Sequence, residues 1–298
     1  MRVLVTGGAG FIGGNLARKL LENPSVSVRI LDNLFRGRNT FAGTPRVEFL
    51  QGDIRDRRTV RAAMDGVGLV YHLAAQANVL GAVADIDYSF TTNVAATFEV
   101  LSAARECRVR RLIFASSREV YGQAPALPVS ECAPLNPGNA YGASKAAGEL
   151  YCRVFMESGM EVVVFRLANV YGPGDAERVI PLFVANALSG RPLVIFGENK
   201  ILDFVWVGDV VDSLVRAVDA PVAGQTINIG SGEGTGIEDL ARRVLQLTGS
   251  RSALEFAGAR KAEIDRFVAD IRLAGSLLNY RPSAPLAHLP EVVAACGR

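Results

Sequence analysis

The sequence is short of the residues that build metal and disulfide sites. It has four cysteines, Cys107, Cys132, Cys152 and Cys296, with no C-x-x-C pair, and only two histidines and one tryptophan. That argues against a zinc or disulfide framework and fits a reducing cytoplasm. No run approaches 18 consecutive apolar residues, so no membrane span is expected. The opening MRVLVTGG lacks a signal peptide's long apolar stretch and reads as a strand instead. Neither sign of charge dominates: 32 Lys and Arg face 30 Asp and Glu, a net charge of +2. Nothing in that balance supports an electrostatic nucleic-acid binder. Apolar residues are plentiful, at 49%, enough for a buried core in 298 residues.

Short β-rich runs alternate with helical patterns through the first half. Strands are predicted at 2–6, 26–31, 47–50, 69–73, 111–115 and 162–167, and helices at 11–22, 59–64, 85–106 and 139–157. Near-continuous apolar strands alternating with helices predict an α/β fold with a doubly wound parallel sheet of Rossmann type. The pattern loosens after Ala168, where turn signals such as Gly172-Pro173-Gly174 break up shorter elements. The expected organisation is a dinucleotide-binding domain over 1–167 and a smaller C-terminal substrate lobe over 168–298, interleaved with the first. Arg105, Arg108, Arg110 and Arg111 read as a solvated helix end.

The segment Gly7-Gly8-Ala9-Gly10-Phe11-Ile12-Gly13 follows a strand and opens a helix. The first glycine allows a tight turn, Gly10 lets the backbone approach a pyrophosphate, and Gly13 lets the helix pack on the sheet. Helix N-terminal N–H groups then face the phosphates. Asp32 stands 19 positions after Gly13, at the end of the second strand, where a carboxylate accepts bonds from both ribose hydroxyls and repels a 2′-phosphate. NAD is therefore expected over NADP, with Arg36 and Arg38 the residues that speak the other way. Asp53 and Ile54 after the third strand suit the adenine. Leu73, Ala74, Ala75 and Gln76 after the fourth suit a chain running beside the cofactor.

Tyr141 and Lys145 are four apart near a helix start and share a face. A free tyrosine titrates at about 10, and bringing it to about 7 takes about 4 kcal/mol. One ammonium about 4 Å away supplies about that much at an effective dielectric of about 20. Lys145 is thus expected to make Tyr141 a base. Ser117, ending the fifth strand, is placed to hydrogen-bond a substrate alcohol.

TGGAGFIG, Asp32-Asn33-Leu34, HLAAQ, S-S-x-x-V-Y-G, YGASK and RLANVYGPG together resemble the extended short-chain dehydrogenase/reductase superfamily, and more narrowly the NAD-dependent epimerases and dehydratases of nucleotide sugars. The resemblance spans nearly the whole chain. It implies bound NAD, reduced and reoxidised within one cycle, and a nucleoside-diphosphate sugar oxidised at C4 to a transient 4-keto sugar. It also implies a homodimer through a four-helix bundle. Ser117, Tyr141 and Lys145 fall on the family's catalytic positions. Asp32 and Asn33 fall on the adenosine ribose segment, Asn93 on an asparagine near the cofactor, and Asn169 and Arg260 on positions near the diphosphate. Arg118 and Glu119 depart from the family's patterns. The 4,6-dehydratases carry an acid where Arg118 stands, and a guanidinium cannot donate a proton at neutral pH. Arg118 is expected to pair with Glu119 or with a substrate carboxylate. Leu202 stands where the family has a diphosphate-gripping arginine, with Lys200 or Arg191 as substitutes. The leading expectation is C4 epimerisation of a UDP-hexose or UDP-uronate. The alternative is a 4,6-dehydratase or UDP-glucuronate decarboxylase using Glu119. A non-catalytic NAD-binding scaffold is disfavoured by the presence of both Tyr141 and Lys145.

Overall fold

The computed structural model describes residues 1–260 and 263–296. The first strands are β1 (Arg2–Thr6), β2 (Ser27–Asp32), β3 (Val47–Gln51), β4 (Leu69–His72), β5 (Arg111–Ser117) and β6 (Glu161–Leu167). The short strands β7 (Asn169–Tyr171), β8 (Leu193–Phe196), β9 (Ile201–Leu202) and β10 (Phe204–Trp206) follow. Then come β11 (Thr226–Ile229), β12 (Thr235–Gly236), β13 (Leu254–Ala257) and β14 (Arg266–Phe267). Seven of these form one sheet in the order β11-β6-β5-β4-β1-β2-β3, every pair parallel. The order reverses between β1 and β4, and ligands in such sheets sit at that switch, beyond the strands' carboxyl ends. The remaining strands make three small sheets: β10-β7, β12-β9-β14 and β13-β8.

The helices are α1 (Phe11–Leu21), α2 (Arg57–Ala63), α3 (Val79–Ala84), α4 (Ile86–Phe90), α5 (Ala96–Glu106), α6 (Ala140–Glu157), α7 (Val179–Leu188), α8 (Val207–Arg216), α9 (Ile237–Thr248), α10 (Arg272–Leu278) and α11 (Leu289–Cys296). Helices cover both sheet faces, so β1 is apolar on both sides. Val3 and Val5 join the core that contains Leu16 of α1 and Leu214 of α8. Leu4 joins a second core with Val60 of α2, Leu101 of α5 and Phe155 of α6. Such burial on two faces removes the period-2 alternation a half-exposed strand would show.

The six expected strands are present, each within two residues of its predicted ends. The helix predicted over 85–106 is three pieces. Asp85 caps α4 by accepting from the Tyr88 N–H, one turn of π-helix runs Thr91–Ala95, and α5 continues. The π turn carries Asn93, whose side chain serves the loop after β4 rather than the helix. After β10 the chain returns through α8 to lay β11 beside β6, so the C-terminal part lends a strand and a helix to the main sheet. Among the described residues no helix is long and apolar enough to cross a membrane, and no His, Cys, Asp and Glu group could hold a metal ion.

Candidate active site

A cleft of about 1230 Å³ opens at the switch between β1 and β4 and runs to the small C-terminal sheets. Gly7, Gly10, Phe11, Ile12 and Gly13 form one end. The Gly10 N–H closes the turn onto Gly7 O at 3.1 Å. A Cβ on Gly13 would lie 2.2 Å from that same Gly7 oxygen, so no other residue fits. Gly10 provides no side-chain cap for α1. The first-turn N–H groups are therefore available to an anion. Asp32 lines the cleft at the end of β2, where its carboxylate accepts from Ala9 N at 3.0 Å and Leu34 N at 2.8 Å. It fastens the glycine loop and still presents lone pairs to a ribose. Asn33, Ile54, Leu73, Ala74 and Ala75 line the same end.

Three residues assigned to the cofactor by sequence act behind this wall. Asp53 is gripped by Arg55, at 2.7 and 3.0 Å, and by Asn33 at 3.1 Å, and Arg55 holds its carboxyl down to about 2. Gln76 and Asn93 are buried and do not line the cleft. Asn93 exchanges two hydrogen bonds with the Gln76 backbone, at 2.8 and 3.0 Å, and donates to Ser144 on α6 at 2.9 Å. The π turn thus ties the loop after β4 to the helix that bears Tyr141. Arg36 is also accounted for: it pairs with Glu177 at 2.6 Å across the mouth of the cleft.

Tyr141 reaches the cleft because Asn139 caps α6, accepting from Gly142 N at 2.8 Å. Gly142 is required there, since a Cβ would meet Glu119 O at 2.4 Å. Burial pushes the Tyr141 hydroxyl up to about 12, and the nearby Ser117 hydroxyl works to lower it. Arg178 and, less strongly, Arg118 pull it back down, while Glu119 adds to the rise. Lys145, expected from sequence to lower Tyr141, points elsewhere. Its Nζ donates to Ala115 O at 2.8 Å and sits 4.8 Å from the Phe114 ring centre. Burial pulls the lysine down to about 8. The i,i+4 spacing put the two on one face, but a nearer carbonyl takes the ammonium.

Arg118 and Glu119 form a buried pair at 3.0 Å. The second Glu119 oxygen accepts from Asn139 at 2.7 Å. Asn169 accepts from Arg118 Nε at 3.1 Å and donates to Asp203 O. At the far end Lys200 and Arg260 both pair with Glu263, at 2.7 and 3.1 Å, with Leu202 beside them. Arg191 is exposed and does not line the cleft, whereas Lys200 is buried and does. Sequence reasoning missed Arg178 altogether, because only the folded turn after β7 brings it to Tyr141.

The pattern of the NAD-dependent epimerase/dehydratase family matches residues 3–230. The chain belongs to that family. It is 36% identical over 300 residues to the UDP-glucose 4-epimerase of Mycolicibacterium smegmatis, covering 96% of this chain and 95% of that one. It is 34% identical over 298 residues to a dTDP-glucose 4,6-dehydratase of an Actinoplanes species, covering 95% and 93%. The crystal structure of Thermus thermophilus UDP-glucose 4-epimerase in complex with NAD superposes with a TM-score of 0.92 at 32% identity, covering 100% of this chain and 99% of that one. NAD is the cofactor, and the glycine turn, the open helix N-terminus and the Asp32 carboxylate fit its pyrophosphate and ribose.

Proposed function

We infer that this protein is an NAD-dependent 4-epimerase of nucleoside-diphosphate sugars, working through a transient 4-keto sugar. One observation carries the choice within the family: Tyr141, Ser117 and Lys145 all line the cleft while the adjacent carboxylate, Glu119, is occupied on both oxygens. Elimination of water or loss of carbon dioxide needs a further acid or base beside the sugar, and a carboxylate fastened by Arg118 and Asn139 is poorly placed for that work. Epimerisation needs nothing beyond a proton acceptor at the C4 hydroxyl and a reversible hydride store.

Gly7, Gly10, Phe11, Ile12 and Gly13 cradle the pyrophosphate, Asp32 and Asn33 take the adenosine ribose, and Ile54 lies at the adenine. Leu73, Ala74 and Ala75 border the nicotinamide half. Lys200, Arg260 and Asn169 face the sugar-nucleotide diphosphate, with a lysine point charge standing in for the missing arginine. Bound NAD supplies the acceptor and donor of the C4 hydride. Ser117 holds the C4 hydroxyl against Tyr141, which removes the hydroxyl proton as C4 is oxidised and returns it to the C4 oxygen once the turned keto sugar has regained its hydride on the other face of C4. Tyr141 must act from a raised starting point, so Arg178, Arg118 and the charge of the oxidised nicotinamide lower it together. Lys145, fixed on Ala115, is the residue to hold the nicotinamide ribose. Residues 1–167 hold the cofactor and 168–298 the sugar nucleotide, the second part completing the first part's sheet. The exposed apolar side chains Phe98, Leu150, Tyr151 and Val154 on α5 and α6 support a homodimer through these helices. The four free cysteines suit the cytoplasm.

The test is incubation with uridine, thymidine, guanosine and cytidine diphosphate sugars, read by mass spectrometry and NMR. The expected product has unchanged mass and inverted C4. A product lighter by water or carbon dioxide would install the dehydratase or decarboxylase instead.

A further inference from the structure

Arg118 is more elaborately held than an ion-pair partner needs to be. It follows Ser117 at the end of β5 and starts a 3-10 turn over Arg118–Tyr121. It lines the cleft and is 8% exposed. Nε is committed to Asn169 at 3.1 Å, Nη2 to Glu119 at 3.0 Å, and the guanidinium faces the Phe267 ring at 5.8 Å. Nη1 is buried and has no hydrogen-bond partner among the described residues. An arginine cannot escape an unmade bond by losing its proton. A buried charged donor left without an acceptor is costlier than a neutral one, so it calls for an explanation.

The surrounding charges indicate what kind of acceptor belongs there. Arg118, Arg178 and Lys145 bring three cations to the end of the cleft that holds Tyr141. Glu119 and Asp175 bring two carboxylates, the latter 3.1 Å from Arg178. The balance is positive before an oxidised nicotinamide adds to it. Chemistry fixes the distance as well. If C4 is at Tyr141 and Ser117, the C6 substituent is only two carbons away, and Arg118, next to Ser117 and acting on Tyr141, lines that part of the cleft.

We propose that Arg118 is a specificity determinant that receives the C6 carboxylate of the sugar on Nη1, so that the preferred substrate is a nucleoside-diphosphate uronate rather than the neutral hexose. The proposal rests on the sugar-nucleotide reading above and deepens it. Glu119 and Asn169 hold the guanidinium so that only Nη1 is left for the ligand. A neutral C6 hydroxyl can also accept from Nη1, but it leaves the excess charge uncompensated, and a bond in which donor and acceptor both carry charge is the stronger of the two.

The experiment measures Kd and kcat/KM of the NAD-loaded enzyme for matched uronate and hexose pairs, on whichever of the four nucleotides binds best. The wild type is expected to favour the uronate by about 30-fold or more, the scale of one buried charge contact. Arg118→Met is expected to erase that ratio, and Arg118→Lys to keep part of it, with retained NAD showing that each variant is folded. A wild-type preference for the hexose, or an unchanged ratio in Arg118→Met, would overturn the proposal and leave the epimerase reading standing. Arg118-dependent uronate binding without inversion at C4 would do the reverse. Absence of binding to every pair would remove both.

Discussion

Lys145 and Glu149 lie one turn apart on α6, both buried and both ionisable, and the fold treats them in opposite ways. Glu149 is saturated. Arg166 reaches it with Nε at 3.0 and 3.1 Å and Nη2 at 2.7 Å, and the Ser116 hydroxyl donates to it. Arg166 in turn donates to the Tyr121 hydroxyl and to Glu131 O, at 2.9 and 3.0 Å. Burial works to lower Arg166, yet Glu149 outweighs it and holds the guanidinium above its ordinary value. Lys145 receives a carbonyl and a ring face, and burial wins. Glu149 is compensated by the protein itself, while Lys145 has no opposite charge at bonding distance among the described residues. Tyr141, raised by the same burial, belongs with Lys145. So does Arg118, whose buried Nη1 is unpartnered among the described residues.

The comparison is tested hardest at Tyr141. Replacing it with Phe removes one hydroxyl from a buried site and leaves the glycine turn and Asp32 untouched. Turnover is expected to fall by about 10³-fold or more, in the range general acid–base catalysis supplies. NAD released on denaturation should match the wild type. Turnover surviving within about tenfold of wild type would place the proton acceptor elsewhere and remove Tyr141 from the under-compensated set.

The next effect is on stability. Arg166→Met leaves Glu149 as a buried carboxylate without its cation, and the loss is expected to be about 3–5 kcal/mol by urea unfolding. The double change with Glu149→Leu should recover a large part of it, since two apolar residues ask for no compensation. A loss under about 1 kcal/mol in the single variant would show that the pair is not a saturated structural unit.

How much of this could be read in the sequence follows from how far apart the partners are. The glycine turn, Asp32 and the Tyr141–Lys145 face are local patterns, fixed by one turn or one strand–helix junction, and the six strands were legible as apolar runs. The Glu149–Arg166 pair joins α6 to β6, and Arg178 meets Tyr141 only after the chain has passed through β7, so no spacing announces either. Glu149 itself left a signal, a carboxylate one turn after Lys145 on the face that Tyr141 and Lys145 share. Asn93 was assigned to the cofactor and serves instead as a brace, because a π turn redirects its side chain, and nothing in an amphipathic pattern reports one extra residue in a turn. β11 was invisible as the seventh strand, being four residues long and far from β6 in the chain.

The smallest effect asks whether the shortfall at Lys145 is one of charge or of packing. Lysine ordinarily titrates at 10.5 and here at about 8, so the folded protein gives up its proton before the unfolded chain does. Below pH 8 both states hold the proton and the folded state bears the full burden of a buried ammonium, about 3 kcal/mol from the size of the shift. Between 8 and 10.5 the unfolded chain binds the extra proton, so wild-type stability climbs with pH. Lys145→Met removes the titrating group. The variant should therefore be the more stable protein at pH 7, by up to about 3 kcal/mol, with the advantage shrinking to about 1 kcal/mol by about pH 9.5, while its turnover is lost. Urea unfolding of both proteins at the two pH values decides the matter. An advantage equal at both would come from the methionine's packing against Phe114, and Lys145 would then be no more strained by its charge than Glu149 is.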